Sequence, residues 1–219
     1  MIEGIVNYLL NLYSNYSKIN DKLGLHNFIF KIVPMINVDG VIHGNTRGEL
    51  TGIDPNRMWK KPLRRLCPSV NAIKKHILRN KENVCMVLDL HSHSKKTGCF
   101  FYGNSLIHNP KISQLYPSFV CQNDKRFSFE SCRYRGGYDT TARKVLFDEL
   151  SIPYIYTVEC SLLGYIDKKT NRIVDYKVQD YYEMGRHLID SFLNLEKVKI
   201  TKEIKDIIED MGIEDRNNV

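Results

Sequence analysis

The chain has 219 residues, 42% hydrophobic and 26% charged, with a formal net charge of +7. That composition excludes a disordered or low-complexity protein, and the length suits one α/β domain with its own core. No apolar run approaches the ~20 residues of a membrane span, and the positive balance suits an acidic partner without choosing among nucleic acid, a membrane surface and an acidic peptide. Simple solubility accounts for the charge equally well.

The start, MIEGIVNYLLNLYSNYS, carries Glu3 and lacks a basic leader or a small-residue cleavage site, so it reads as an amphipathic helix rather than a signal peptide. Ile2, Ile5, Val6, Leu9, Leu10 and Tyr13 follow a helical period over residues 2–13. Phe28 to Ile36 (FIFKIVPMI) reads as a strand with Pro34 near its end, and Asn37-Val38-Asp39-Gly40 as a turn. From Val41 to Pro62 the chain is polar and irregular, the kind of long loop that carries function. Ser69 is placed to cap a helix running to Asn80. Strands follow from Val84 to an end at His91, and at Cys99–Tyr102 and Pro153–Cys160. Helices are expected over 112–123, interrupted by Pro117, over the stretch from a cap at Asp139 or Thr140 to Leu150, and over 179–195. The charged tail from Lys199 carries a short helix near Ile204 to Met211. Strands alternating with helices imply a mixed, mostly parallel sheet with helices on both faces, in one domain over 1–198 followed by the tail 199–219. Cys67, Cys85, Cys99, Cys121, Cys132 and Cys160 show no C-x-x-C spacing and read as reduced, buried thiols of a cytosolic protein.

The chemistry gathers where apolar runs end in titratable groups. Asp89, His91 and His93 in VLDLHSHS alternate onto one strand face, and Glu159 closes PYIYTVEC. Ligands of open α/β sheets collect at the carboxyl ends of strands. An isolated H-x-H is more often structural than metal-binding. In the long loop, Asn56 and Arg57 can grip a carboxylate with a guanidinium fork and an amide donor, and Arg47 can polarise an oxyanion, although loop arginines are usually only solvated.

Taken together and in order, KIVPMINVDGVIHGNTRGELTGIDPNRMW, DLHSHSKKTGCFFYGN and TTARKVLFDELSIPYIYTVECSLLG resemble the zinc carboxypeptidase superfamily, closest to its cytosolic carboxypeptidase branch, the tubulin deglutamylases. The resemblance covers nearly the whole chain to about residue 195. It implies that His91 is a zinc ligand, Glu159 the general base, Arg47 the oxyanion arginine, and Asn56 with Arg57 the holder of the substrate's terminal carboxylate. Asp89 is either support for His91 or a packing residue, and His93 a neighbour rather than a ligand. Arg143, in TTAR, matches a basic residue of the branch's T-G-R motif that would meet an acidic side chain, with Arg133 and Arg135 as weaker candidates; the alternative is an exposed first-turn residue. Lys60, Lys61, Arg64 and Arg65 form a basic cluster that reads first as solvated surface. The implied activity is a zinc metallocarboxypeptidase of the cytoplasm acting on C-terminal glutamates of acidic protein tails, such as polyglutamylated tubulin, with no nucleic acid or membrane partner.

Three departures qualify this. The family's H-x-x-E zinc motif, expected just upstream of the first helix, has no counterpart: no histidine here has Glu three residues on, and His187 with Asp190 lies in the C-terminal helix. One ligand of three implies poor zinc binding and little catalysis, from a fragment lacking the family's N-terminal strands or from a pseudoenzyme that binds acidic tails; the intact Arg47, Asn56, Arg57, His91 and Glu159 set favours the fragment. Val38, Pro55 and Ala142 stand where the family usually has Pro, Leu and Gly. The tyrosine that closes over substrate has no clear counterpart, Tyr134 and Tyr138 being the candidates.

Overall fold

The computed structural model describes residues 1–15, 25–106 and 109–197, so the expected tail helix near 204–211 lies outside the described residues. The centre is a three-stranded sheet of order β1-β3-β2, with β1 at Val87–His93, β2 at Cys99–Tyr102 and β3 at Ile155–Ser161. β1 runs parallel to β3, and β2 antiparallel to it. Apolar, β-branched and aromatic residues fill all three strands, as a pleated surface covered on both sides requires. Alternation sorts β3 between two cores. Tyr156, Val158 and Cys160 join the larger core with α1 (Ile2–Ser14), α4 (Ile112–Asn123) and α6 (Val178–Lys197). Ile155 faces the smaller core, with α3 (Pro68–Arg79) and α5 (Ala142–Leu150). Helices therefore cover both faces of a mixed sheet, as expected.

The first helix packs against the last at close range. A Cβ on Gly4 would stand 2.3 Å from the Tyr182 carbonyl oxygen, and one on Gly185 would stand 2.3 Å from that of Met1. Both glycines are thus required by backbone approach. The Tyr8 hydroxyl donates to Asp190, and that of Tyr182 to Glu3.

Several elements differ from expectation. Pro117 does not interrupt α4. The carbonyl it cannot bond, four residues back at Ser113, accepts instead from the Tyr156 hydroxyl at 2.8 Å, which satisfies the orphaned acceptor. Helix α3 starts at Pro68, with Cys67 rather than Ser69 at the cap position; proline is preorganised for a first helical position. Helix α5 is preceded by Thr141, not Asp139 or Thr140. Asn37 caps a short helix, α2 (Val38–Ile42), by accepting from Gly40 N. The hairpin of β4 (Tyr165–Asp167) and β5 (Arg172–Val174) was not foreseen. Its strands are short, and its turn is held by Asp167 accepting from Lys169 N and Thr170 N.

Residues 28–36 form no strand. An extended run becomes a strand only through a partner's hydrogen bonds, and no described strand pairs with it. Ile29 is 83% exposed, while Phe28 and Phe30 set their ring edges on Phe192. The outer edge of β1 likewise carries no paired strand among the described residues. All six cysteines are free, four of them buried, Cys121 half-buried and Cys85 exposed. No helix among the described residues is long and apolar enough to cross a membrane.

A buried ion network ties the end of α4 to α6. Arg126 donates to Asp124, Asp180 and Glu183, and His187 Nδ1 sits 2.9 Å from Asp124. Burial pushes the Asp124 carboxyl up, but His187 and Arg126 outweigh it and hold it below its ordinary 3.8. A carboxyl depressed by folding adds stability above its unfolded value and loses it as the pH falls through the folded one. Asp124→Asn therefore costs about 3 kcal/mol at neutral pH, measured by urea unfolding, and the gap to wild type closes below pH 3.8; a gap independent of pH would contradict this.

Candidate active site

Parallel pairing sets His91 directly beside Glu159, and paired residues of neighbouring strands point to the same face. Asp89 Oδ2 lies 2.8 Å from His91 Nε2, which fixes the ring as a supporting carboxylate does for a metal-binding histidine. The contact occupies Nε2. Burial pushes the His91 imidazole down, but Asp89, with Glu159 adding to it, holds it above its ordinary 6.5. His93 Nδ1 stands 3.4 Å from Glu159 Oε2, with its ring edge-on to Phe100. At that distance the contact is electrostatic rather than a well-formed hydrogen bond. Glu159 Oε2 is buried without a hydrogen-bond partner among the described residues. Burial raises the Glu159 carboxyl above the usual range, and His91 and His93 pull it partly back. A carboxylate so placed is a stronger proton acceptor than a solvated one.

The long loop is organised by Asp54, which sequence reasoning passed over. Its Oδ1 accepts from Asn56 N at 2.8 Å. Its Oδ2 lies 2.5 Å from Arg47 Nε and 3.9 Å from Arg57 Nη1. Two guanidinium groups therefore share one carboxylate, leaving a surplus positive charge to meet a second. The Arg57 guanidinium also lies over the Tyr138 ring at 4.1 Å, a cation–π contact that fixes its plane. Asn56 Oδ1 accepts from Ala142 N at 2.9 Å. Thr141 makes no capping bond of its own, so Asn56 caps α5 from across the fold. Its Nδ2 lies 3.4 Å from His91 Nε2, a packing contact, since that ring nitrogen already faces Asp89.

Arg143 is buried, not an exposed first-turn residue, at 7% exposure. Nη1 donates to Gly103 O and Asn104 Oδ1, and Nη2 to Gly136 O. All three acceptors are neutral, and burial lowers the guanidinium's pKa. The group stays cationic regardless, so it is a buried charge whose ion pair is not supplied by the described residues. It lines a cavity of about 370 Å³ with Asn104, Tyr134, Arg135 and Lys144, and no acidic side chain is in that lining. Gly137, at φ +102°, leaves no room for a Cβ, which would stand 2.6 Å from Arg143 Nη2. Burial and Glu159 push the Tyr102 hydroxyl up, while Arg133 and Arg143 pull it down. Arg133 itself donates to the carbonyls of Glu130 and Cys132. Of the two tyrosine candidates, Tyr138 is exposed and carries Arg57, whereas the Tyr134 hydroxyl is buried at the cavity.

The structure thus gathers Asp89, His91, His93, Glu159, Asn56 and Arg57, with Arg143 one residue beyond Ala142, whose backbone N Asn56 caps. Arg47 reaches the group through Asp54, its own side chain 59% exposed. Lys60, Lys61, Arg64 and Arg65 are solvated. Asp54, Asn104 and Gly136 were missed in sequence; only Asp54 left a signal, as an acid ahead of proline at a helical turn. A hydrolytic zinc site needs three protein ligands. No group of three His, Cys, Asp or Glu side chains among the described residues could hold a metal ion, so the described donors do not fit a whole site. His187 and Asp190 go to Asp124 and Tyr8 respectively.

The sequence pattern of the zinc carboxypeptidase family matches residues 1–164. Cytosolic carboxypeptidase 6 of Homo sapiens is 30% identical over 203 residues, covering 88% of this chain and 39% of that protein. Cytosolic carboxypeptidase 3 of Bos taurus is 32% identical over 205 residues, covering 89% of this chain and 20% of that protein. The fold is similar to a metallo-carboxypeptidase from Burkholderia cenocepacia, with a TM-score of 0.72 at 19% identity, over 90% of this chain and 54% of that one. The chain therefore spans about half or less of the length of each of these proteins.

Asn56→Ala should leave Ala142 N without its cap and cost about 1 kcal/mol, read as a lower urea midpoint. Asn56→Asp keeps the acceptor and should retain most of that stability; equal losses in both variants would contradict the capping role.

Proposed function

The chain belongs to the zinc carboxypeptidase family, and from that premise we propose that it carries the substrate-binding groups and general base of a metallocarboxypeptidase. Its substrates are C-terminal residues, glutamates above all, of acidic protein tails such as polyglutamylated tubulin. Its place is the cytosol, the location in the names of its relatives. Arg57, with the Asn56 amide beside it, binds the terminal carboxylate bidentately, which limits cleavage to chain ends. Arg143 receives the acidic side chain in its cavity. Glu159 takes a proton from the attacking water and returns it to the leaving amine. Arg47 offers positive charge to the developing oxyanion. Zinc, with His91 as one of its ligands, would supply Lewis acidity in this class of hydrolysis.

The observation that carries this reading is Arg143: a buried guanidinium with neutral acceptors only, facing a cavity without acids. A buried charge of this kind is costly unless a counter-charge arrives. That no three-residue metal-ligand group lies among the described residues favours a second reading, a non-catalytic module that holds acidic tails through the same arginines.

Calorimetric titration of the chain with a peptide ending in free glutamate tests the reading. A C-terminal amide should bind about tenfold more weakly, and Arg143→Met should abolish the preference for glutamate over alanine. Equal affinity for acid and amide would contradict the carboxylate clamp. Equilibrium dialysis against zinc should leave less than one tightly bound ion per chain; one tight ion per chain would contradict His91 as the lone ligand.

A further inference from the structure

Lys74, on α3, is 7% exposed, although its sequence neighbour Lys75 is solvated. Lysine is almost never buried to that degree without partners. Here the ammonium has three: Trp59 O at 2.8 Å, Lys60 O at 3.4 Å and Glu149 Oε1 at 2.7 Å. Those contacts use all its donors. Lys74 lines neither the Arg143 cavity nor the contacts of His91 and Glu159, so its effect is exerted through other residues.

Each partner leads to a binding group. Trp59 lies two residues after Arg57, its ring buried with Ala142, Val145 and Leu146 of α5. Its backbone N donates to Thr140 O, just ahead of that helix. Glu149 is at the far end of α5, whose first turn carries Ala142 and Arg143. The loop therefore meets the start of α5 through Asn56 and Trp59, and Lys74 ties the end of the same loop to the last turn of the helix. A slip of one residue along a helix axis is about 1.5 Å, enough to misplace a guanidinium relative to a bound carboxylate.

We infer that Lys74 is a positioning residue: it sets the register between the terminal-carboxylate groups, Asn56 and Arg57, and the side-chain-selecting Arg143, and so governs the preference for an acidic C-terminal residue. The inference rests on the substrate reading above.

The test titrates the full chain, as wild type, Lys74→Met and Lys74→Arg, with two free-carboxylate peptides that differ only in ending in glutamate or alanine. Lys74→Met should lower the glutamate-over-alanine preference about tenfold, and Lys74→Arg, which keeps a cationic donor, should retain most of it. A merely structural lysine would lower both affinities by the same factor, through the folded fraction, and leave the ratio unchanged. Glu149→Leu keeps the loop contacts and removes the acceptor that tethers Lys74 to α5, so it should also lower the ratio; it serves as the readout if Lys74→Met does not fold. A wild-type preference that survives in these variants overturns the inference alone. A wild-type chain with no preference overturns the substrate reading and the inference with it.

Discussion

The site depends on the side chain of one loop residue. Asn56 accepts from Ala142 N at the start of α5 and turns its amide nitrogen toward His91 on β1. Loop, helix and strand meet there, and the three candidate functions sit one step away: Arg57 next in the loop, Arg143 next in the helix, and Glu159 beside His91 in the sheet. A helix start leaves backbone donors unsatisfied, and here a residue of the binding loop satisfies one of them. Stability and site geometry are thus set by the same hydrogen bond.

Around this joint the charges follow two rules. Away from the site they are paired: Arg126 with three carboxylates, Asp124 with His187, Lys74 with Glu149. Within the site they are left short of counter-charge. Two arginines divide Asp54, Arg143 has only neutral acceptors, and a buried oxygen of Glu159 has no hydrogen bond among the described residues. Burying charge without full compensation costs stability, and such groups concentrate where binding or proton transfer needs them.

How much of this could be read in advance varies by element. The strands ending in DLHSH and TVECS were legible because an apolar run that stops in titratable groups is the pattern of a buried strand emerging at a polar cleft. Their adjacency was not, since register between strands 68 residues apart is a tertiary fact. Phe28–Ile36 has a strand's composition, yet a strand needs a partner and none of the described residues provides one. Pro117 looked like a helix break because sequence does not show that Tyr156 would reach Ser113 O. The burial of Arg143 was equally hidden: its acceptors, Gly103, Asn104 and Gly136, are two backbone carbonyls and an amide, which leave no pattern in side-chain chemistry. Resemblance to a known family suggested roles for His91, Glu159 and Arg143; the pairing of the first two and the burial of the third came from the fold.

A crystal structure of the chain with a glutamate-ended peptide measures the central claim most directly. The terminal carboxylate should lie on Arg57, the glutamate side chain on Arg143, and the scissile carbonyl beside Glu159. A peptide bound with its carboxylate elsewhere, or with Arg143 still facing an empty cavity, would contradict that arrangement.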